Sequence, residues 1–234
     1  MIKAIKAIRN IFSEVPETYE LVNHILTFGL DILWRKRAVN IAVKSGGDRW
    51  IDVCTGTGET ASYLCRFPKN GTKVYAADFS LPMLKKAKEK PEGGCIIFLL
   101  SDVENLPFSD NTFDLITISF ATRNINRNRN ILIRTFKEFH RILKINGHFV
   151  NLETSQPSSS ITKRIFHKYI KLFVLPVGSR ISGSKSGYAY LANTIPRFYG
   201  AQELKNIMHQ AGFKDIRIKK LMSGVAAIHQ GTKY

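Results

Sequence analysis

The sequence predicts an α/β fold: a doubly wound, mostly parallel sheet that closes with an antiparallel C-terminal hairpin. Three observations point there. Short apolar runs alternate with amphipathic stretches from Trp50 to Thr154, one strand per crossover. The first run, Trp50-Ile51-Asp52-Val53, breaks into Thr55-Gly56-Thr57-Gly58 ahead of a helical stretch, the layout of a nucleotide-binding first crossover. Two late runs, Lys214–Leu221 and Val225–Gln230, follow the last helical stretch and should pair as a hairpin.

Taken in order, Met1–Phe12 sets Ile2, Ile5, Ile8 and Phe12 on one helical face and Lys3, Lys6 and Arg9 elsewhere. Such a basic amphipathic helix suits either a cap on the core or a membrane interface. Glu17–Ala42 reads as a helical lid. Thr18 starts one helix, Gly29 breaks it, and Leu33–Ala42 forms the next. Thr60–Cys65 follows the glycine turn as the first crossover helix. Lys73–Ala77 is the second strand, leading to Asp78-Phe79, and Pro82–Ala87 the helix behind it.

Cys95–Leu100 is the third strand, running out into Asp102-Val103, and Phe113–Phe120 is the fourth. Asn126–Leu143 makes a long amphipathic helix ended by Asn146-Gly147, and His148–Thr154 the fifth strand. Ser155–Phe198 interrupts the alternation. Within it, Ile161–Phe173 gathers Ile161, Ile165, Tyr169, Leu172 and Phe173 near one face, with Lys163, Arg164, His167, Lys168 and Lys171 mostly elsewhere. Pro176, Gly178, Gly183 and Gly187 then read as a flexible basic loop. This region suits a helical cover over the sheet edge, with an apolar side that admits a lipid tail. Glu203–Ala211 is the last helix. The divisions are 1–45 (N-terminal helical lid), 46–154 (core carrying the glycine turn), 155–200 (insertion with a membrane-suited face) and 201–234 (last helix and hairpin), all within one domain.

Composition narrows the class. A chain of 234 residues with 44% hydrophobic content fits one domain with a sizeable core. No apolar run approaches the roughly 18–20 residues needed to cross a bilayer, and no secretory signal precedes the fold. Cys54, Cys65 and Cys95 are odd in number and lack metal-ligand spacing, as expected of buried thiols in a reducing cytosol. The six histidines form no cluster, so no metal site is expected. Thirty-five basic residues against 18 acidic ones give +17, a surface that seeks an anionic leaflet or nucleic acid.

The glycine turn alone does not choose between a dinucleotide and a methyl donor. Two details do. Ala61 and Ser62 follow where G-x-G-x-x-G requires its third glycine. Glu59 closes the loop with a negative charge that repels a pyrophosphate and suits a cationic sulfonium amino acid. Asp78, past the second strand, can accept both ribose hydroxyls. Asp102 can take an adenine amino group, and Val103 can offer its backbone N–H. Three carboxylates just past three successive strands are far rarer than any one of them.

These segments carry a resemblance. The chain is similar to class I S-adenosylmethionine-dependent methyltransferases, with their Rossmann-like sheet. More narrowly it resembles the quinone C-methyltransferases of ubiquinone and menaquinone biosynthesis. The narrower match rests on Tyr19–Asn23, Phe28-Gly29-Leu30-Asp31 with Trp34-Arg35, and Asp52-Val53 with Thr55–Gly58. It continues through Asp78-Phe79-Ser80, Asn105–Phe108, Ile116–Phe120 with Arg123-Asn124, and Gly212-Phe213. The resemblance implies S-adenosyl-L-methionine as cofactor, held by Asp52, Thr55, Gly56, Thr57, Gly58, Asp78, Phe79, Asp102, Val103 and Ser119. It implies Arg123 and Asn124 as catalytic residues. Tyr19, Asn23, Phe28, Phe120 and Arg123 would bind the acceptor, with Tyr19, Asn23 and Phe28 also covering the donor pocket.

The implied acceptor is a prenylated quinol met at the cytoplasmic face of an anionic membrane; a homodimer is compatible. The sequence departs from the family at Phe120-Ala121-Thr122 and Glu153-Thr154-Ser155-Gln156-Pro157, both on the acceptor side. A methyltransferase for another lipid or small molecule remains the alternative. A nucleic-acid methyltransferase is disfavoured: the chain has neither an aromatic-flanked catalytic cysteine motif nor an Asn-Pro-Pro-Tyr-type motif.

Overall fold

Apolar runs too continuous to show one wet face demand burial on both sides, and β1 (Arg49–Val53) and β4 (Phe113–Ser119) obtain it at the centre of the sheet. A computed structural model describes residues 16–67 and 71–234. The expected Met1–Phe12 helix lies outside them. Among the described residues, seven strands form one sheet in the order β3-β2-β1-β4-β5-β7-β6. The other strands are β2 (Lys73–Asp78), β3 (Ile96–Leu100), β5 (Leu143–Thr154), β6 (Lys214–Leu221) and β7 (Ala226–Thr232). β7 runs against both neighbours, β5 and β6, while the pairs among β1 to β5 are parallel. The doubly wound sheet and the terminal hairpin are therefore both present. Strand order reverses between β1 and β4, which opens a crevice beyond their carboxyl ends.

Helices cover both faces. On one, α6 (Arg129–Ile142) and α10 (Ala201–Gln210) bury Phe136, Phe139, Leu204 and Met208 against Phe149 and Phe213. On the other, α2 (Leu30–Ala42) and α3 (Glu59–Cys65) bury Trp34, Val39 and Leu64 against Trp50, Leu115 and Ile228. A third cluster joins the lid to the insertion: Val22 and Leu26 of α1 (Pro16–Thr27) pack with Phe166, Ile170, Val174 and Tyr188. α4 (Leu81–Lys88) follows β2, and its neighbourhood is tied to α1 by Lys86–Glu17 at 2.7 Å and Lys90–Glu20 at 2.8 Å.

Several sequence expectations need correction. The long helix is present as α6 but starts at Arg129, fixed by the Asn128 side chain accepting Ile131 N–H at 3.0 Å, and a separate short turn, α5 (Thr122–Ile125), precedes it. Asn146-Gly147 ends no helix. Asn146 has φ 61 within β5, which already begins at Leu143, and the β4–β5 register shifts between Phe113 and Leu115.

The expected flexible loop around Gly178 is helical. α7 (Ser160–Tyr169) runs through a π-turn (Ile170–Val174) into α8 (Leu175–Ser182), and α9 (Lys185–Thr194) follows. Pro176 sits just past the π-turn, in the first turn of α8. Gly178 is a packing residue: a Cβ there would collide with the Tyr188 ring. The buried face of α7 and its π-turn is Phe166, Ile170 and Val174, whereas Ile161, Ile165 and Leu172 are exposed. The cysteines also differ from expectation, since Cys54 and Cys65 are half-buried and Cys95 is exposed.

Candidate active site

The turn after β1 is built by side chains behind it. Asp52, 1% exposed, accepts the Thr55 hydroxyl at 2.6 Å and the Thr117 hydroxyl at 2.7 Å. Burial raises its carboxyl to about 6, against the lowering effect of those two hydrogen bonds. Gly58 takes φ 79 at the mouth of α3, and a Cβ there would press on Ala87 Cβ at 2.8 Å. Asp52 and Gly58 thus shape the turn from outside the cleft wall, a supporting place for two residues expected to touch the donor.

The other expected donor residues line one cleft of about 110 Å³: Thr55, Gly56, Thr57, Asp78, Phe79, Asp102, Val103 and Ser119. Gly56 has φ 57, and a Cβ there would meet no atom within 4 Å, so the bare backbone borders open space. Asp78 is fixed by Gly56 N–H and Ser80 N–H, each at 2.8 Å. Burial raises its carboxyl, opposed by backbone N–H groups of Ser80, Gly56 and Phe79. A buried carboxylate held in place by amides, with bare glycine backbone beside it, fits the ribose and amino-acid portions of S-adenosyl-L-methionine.

Glu59 is not the isolated acid that the sequence suggested. It is buried with Arg35, Nε to Oε2 at 3.2 Å, and faces His24 at 3.6 Å. Burial raises the Glu59 carboxyl, and the Arg35 charge works against that rise. His24 in turn bonds Asp31 at 2.9 Å, and Arg35 Nη1 reaches the Thr60 hydroxyl at 3.4 Å. Thr60 donates to Ser119 at 3.0 Å. The sequence segment Trp34-Arg35 contributed to the resemblance, yet its reach into the site had no signal, because α2 and α3 meet only in the fold.

A second cavity of about 430 Å³ adjoins the first. Tyr19, Arg35, Phe120 and Asn124 line both and form the partition. Phe120 has φ 58, a strained angle for an aromatic residue, and lies under Arg35 with the guanidinium carbon 4.9 Å from its ring centre. Tyr19, Asn23, Phe28, Phe120 and Arg123, all expected at the acceptor, line this second cavity. Asn23 and Phe28 lie away from the donor cleft they were expected to cover.

Much of the remaining wall is apolar or aromatic and comes from the insertion, including Ile165, Phe166, Tyr169, Ile170 and Tyr190. Arg123 is 6% exposed. Its Nη1 donates to Thr194 Oγ1 at 2.7 Å, while its Nε has no hydrogen-bond partner. Among the described residues no carboxylate forms an ion pair with it.

A sheet of order 3-2-1-4-5-7-6 with β7 reversed, a glycine turn after β1 and carboxylates after β2 and β3 defines a class I methyltransferase. Solved structures share the fold. A SAM-dependent methyltransferase from Thermotoga maritima, described as a possible histamine N-methyltransferase, superposes with TM-score 0.69 at 20% identity, covering 97% of this chain and 99% of that one. A putative methyltransferase of Haloferax volcanii, in complex with its Trm112 activator, gives TM-score 0.65 at 16% identity, covering 94% and 97%. The model of the ubiE/COQ5 methyltransferase family matches residues 2–233, and the chain belongs to that family.

Among its relatives, the demethylmenaquinone methyltransferase of Staphylococcus saprophyticus is 35% identical over 228 residues, 97% of this chain and 96% of the relative. That of Staphylococcus aureus (strain Newman) is 36% identical over 228 residues, covering 97% and 92%. The chain is thus a methyltransferase, and S-adenosyl-L-methionine is its expected cofactor.

Proposed function

We propose that this protein methylates a ring carbon of a prenylated quinol, of demethylmenaquinol or benzoquinol type, in menaquinone or ubiquinone biosynthesis. The observation that carries the reading is Arg123: a buried cation whose side chain, among the described residues, forms no ion pair with a carboxylate, on the wall of a largely apolar cavity that adjoins the donor cleft. A neutral lipid alone gives no reason to bury such a charge, whereas a quinol offers an oxygen that can become anionic. A guanidinium beside that oxygen lowers its pKa, and the quinolate is richer in electrons at the ring carbon. S-adenosyl-L-methionine, when bound, supplies a methyl group already activated on a positive sulfur.

The protein's work is positioning and the exclusion of water. Asp78 would hold the ribose, and Asp102 with Val103 the adenine. Thr57 and the Arg35–Glu59 pair would meet the zwitterionic amino-acid end. Asn124 and Phe120, shared by both cavities, would align ring and donor, with Tyr19 closing the partition from α1. The tail would leave the cavity between Phe28, Ile165 and Met222, each of which lines it and is also exposed.

That mouth supports a peripheral seat on a membrane. Exposed Ile161 and Leu172 flank it, and Lys163, Arg164, Lys168 and Lys171 are exposed on the same helical run. Among the described residues no helix is long and apolar enough to cross a bilayer. Arg123→Ala tests the reading. Donor affinity should hold within about twofold while turnover of a reduced, prenylated demethylquinone falls by about 10²-fold. Lost donor binding or unchanged turnover would remove Arg123 from the acceptor site.

A further inference from the structure

The turn that carries Arg123 and Asn124 stands on one buried carboxylate. Glu153, near the end of β5, is 1% exposed. Its Oε2 accepts the backbone N–H of Arg123 at 3.0 Å. Its Oε1 accepts the backbone N–H and the hydroxyl of Thr154, at 2.7 and 2.9 Å. Among the described residues no cation forms an ion pair with it. A buried carboxylate answered only by neutral donors is a costly way to hold a strand end, and an apolar side chain would avoid that cost.

What the carboxylate grips is therefore informative. It holds the main chain of Arg123 itself, in a turn of only four residues with little rigidity of its own. One residue earlier, the Thr122 hydroxyl bonds Asn151, also on β5. At the far end, Thr194 of α9 takes the guanidinium. The Arg123 side chain thus spans from an anchor on β5 to an anchor on the insertion. Both charges are felt by Tyr190 on the cavity wall: burial raises its hydroxyl, Arg123 lowers it and Glu153 raises it further.

We propose that Glu153 is a positioning residue for the methyl transfer, acting on the reaction only through Arg123, whose acceptor role is the reading given above. Accepting the Arg123 N–H fixes the Cα from which the side chain departs. It thereby sets the guanidinium against the acceptor's oxygen. Aspartate in its place withdraws the carboxylate by about 1.5 Å, one C–C bond, and leaves the N–H unanswered. Glutamine keeps the length and one acceptor oxygen but presents an amide N–H₂ toward one of the donors now satisfied.

A double-mutant cycle tests this, with turnover read on reduced prenylated demethylquinone and donor affinity by calorimetry. Glu153→Ala should lower kcat at least tenfold, consistent with an ångström-scale displacement, while donor Kd stays within about twofold. Glu153→Gln should keep the melting temperature near wild type and recover part of the loss. The deciding measurement is Glu153→Gln in the Arg123→Ala background, in single turnovers with labelled donor. Little further change, under about twofold, is the expected result, because the residue through which Glu153 acts is gone. A loss as large as in the wild-type background overturns the proposal and leaves the role of Arg123 intact. Full turnover by Arg123→Ala alone overturns the acceptor reading and the proposal with it. A Glu153→Gln enzyme with wild-type kcat also overturns it.

Discussion

At the scale of residues, Asp52, just before the glycine turn, and Asp78, the last residue of β2, divide the work differently than their placement suggests. Asp78 faces the cleft and has acceptor capacity left after its backbone amides are counted, so Asp78→Ala should cost two charge-assisted hydrogen bonds to a ribose. Each contributes on the order of 1.5–3 kcal/mol, and donor affinity should fall at least tenfold with the fold retained. Calorimetry showing unchanged affinity for the donor or its demethylated product would sink that assignment.

Asp52 instead holds the turn, with its carboxyl raised to about 6 by burial. An acid whose folded pKa lies above its unfolded value makes the native state relatively less stable as pH rises through that interval. Its penalty is absent below about pH 4 and complete above about pH 6, amounting to about 1.4 kcal/mol per pKa unit. Asp52→Asn should remove this dependence, so the stability difference between variant and wild type shifts in the variant's favour from pH 4 to pH 6. Denaturant unfolding at both pH values measures it, and a constant difference would contradict the burial argument.

At the scale of elements, Gly178 shows how a residue's meaning depends on what packs against it. A glycine between a proline and further glycines reads as loop, and only the close approach of α8 to Tyr188 shows why glycine is required. Gly178→Ala should destabilise by about 1–3 kcal/mol through overpacking, seen as a lower melting temperature. A neutral substitution would mean that α8 and α9 separate without cost. The strands, by contrast, were legible from period and punctuation, because buried strands and glycine turns are local patterns. That eight of the expected donor residues line one cleft has the same cause: they follow strand ends.

The long-range parts were hidden. Arg35 meets Glu59 across 24 positions, Thr194 meets Arg123 across 71, and Glu153 grips a turn 30 residues earlier. No local pattern marks such pairs. The Asn146-Gly147 signal failed differently, since the same positive φ that ends a helix also serves within a strand at an irregular register.

At the scale of the molecule, four exposed basic residues, Lys163, Arg164, Lys168 and Lys171, share one helical run with exposed Ile161, Ile165 and Leu172, and Ile165 lines the second cavity. Lysines near an anionic leaflet contribute about 1 kcal/mol each and are screened by salt, whereas Ile161, Leu172 and Met222 would add a part that salt leaves intact. Flotation with anionic vesicles should show binding that weakens as salt rises without vanishing. Exchanging Lys163, Arg164, Lys168 and Lys171 for glutamate should reduce it strongly. Tighter capture by RNA than by vesicles in the same buffer would assign the +17 to a different partner.

The central claim is carbon methylation of a quinol ring in the cavity that Arg123 lines, and the position of the transferred methyl tests it most directly. The full chain would be incubated with S-adenosyl-L-methionine carrying a carbon-13 methyl group and with reduced, prenylated demethylquinone. Carbon-13 NMR of the extracted product should show the label as a methyl on the ring carbon. Label on a quinol oxygen, or none transferred while calorimetry shows the donor bound, would contradict the account.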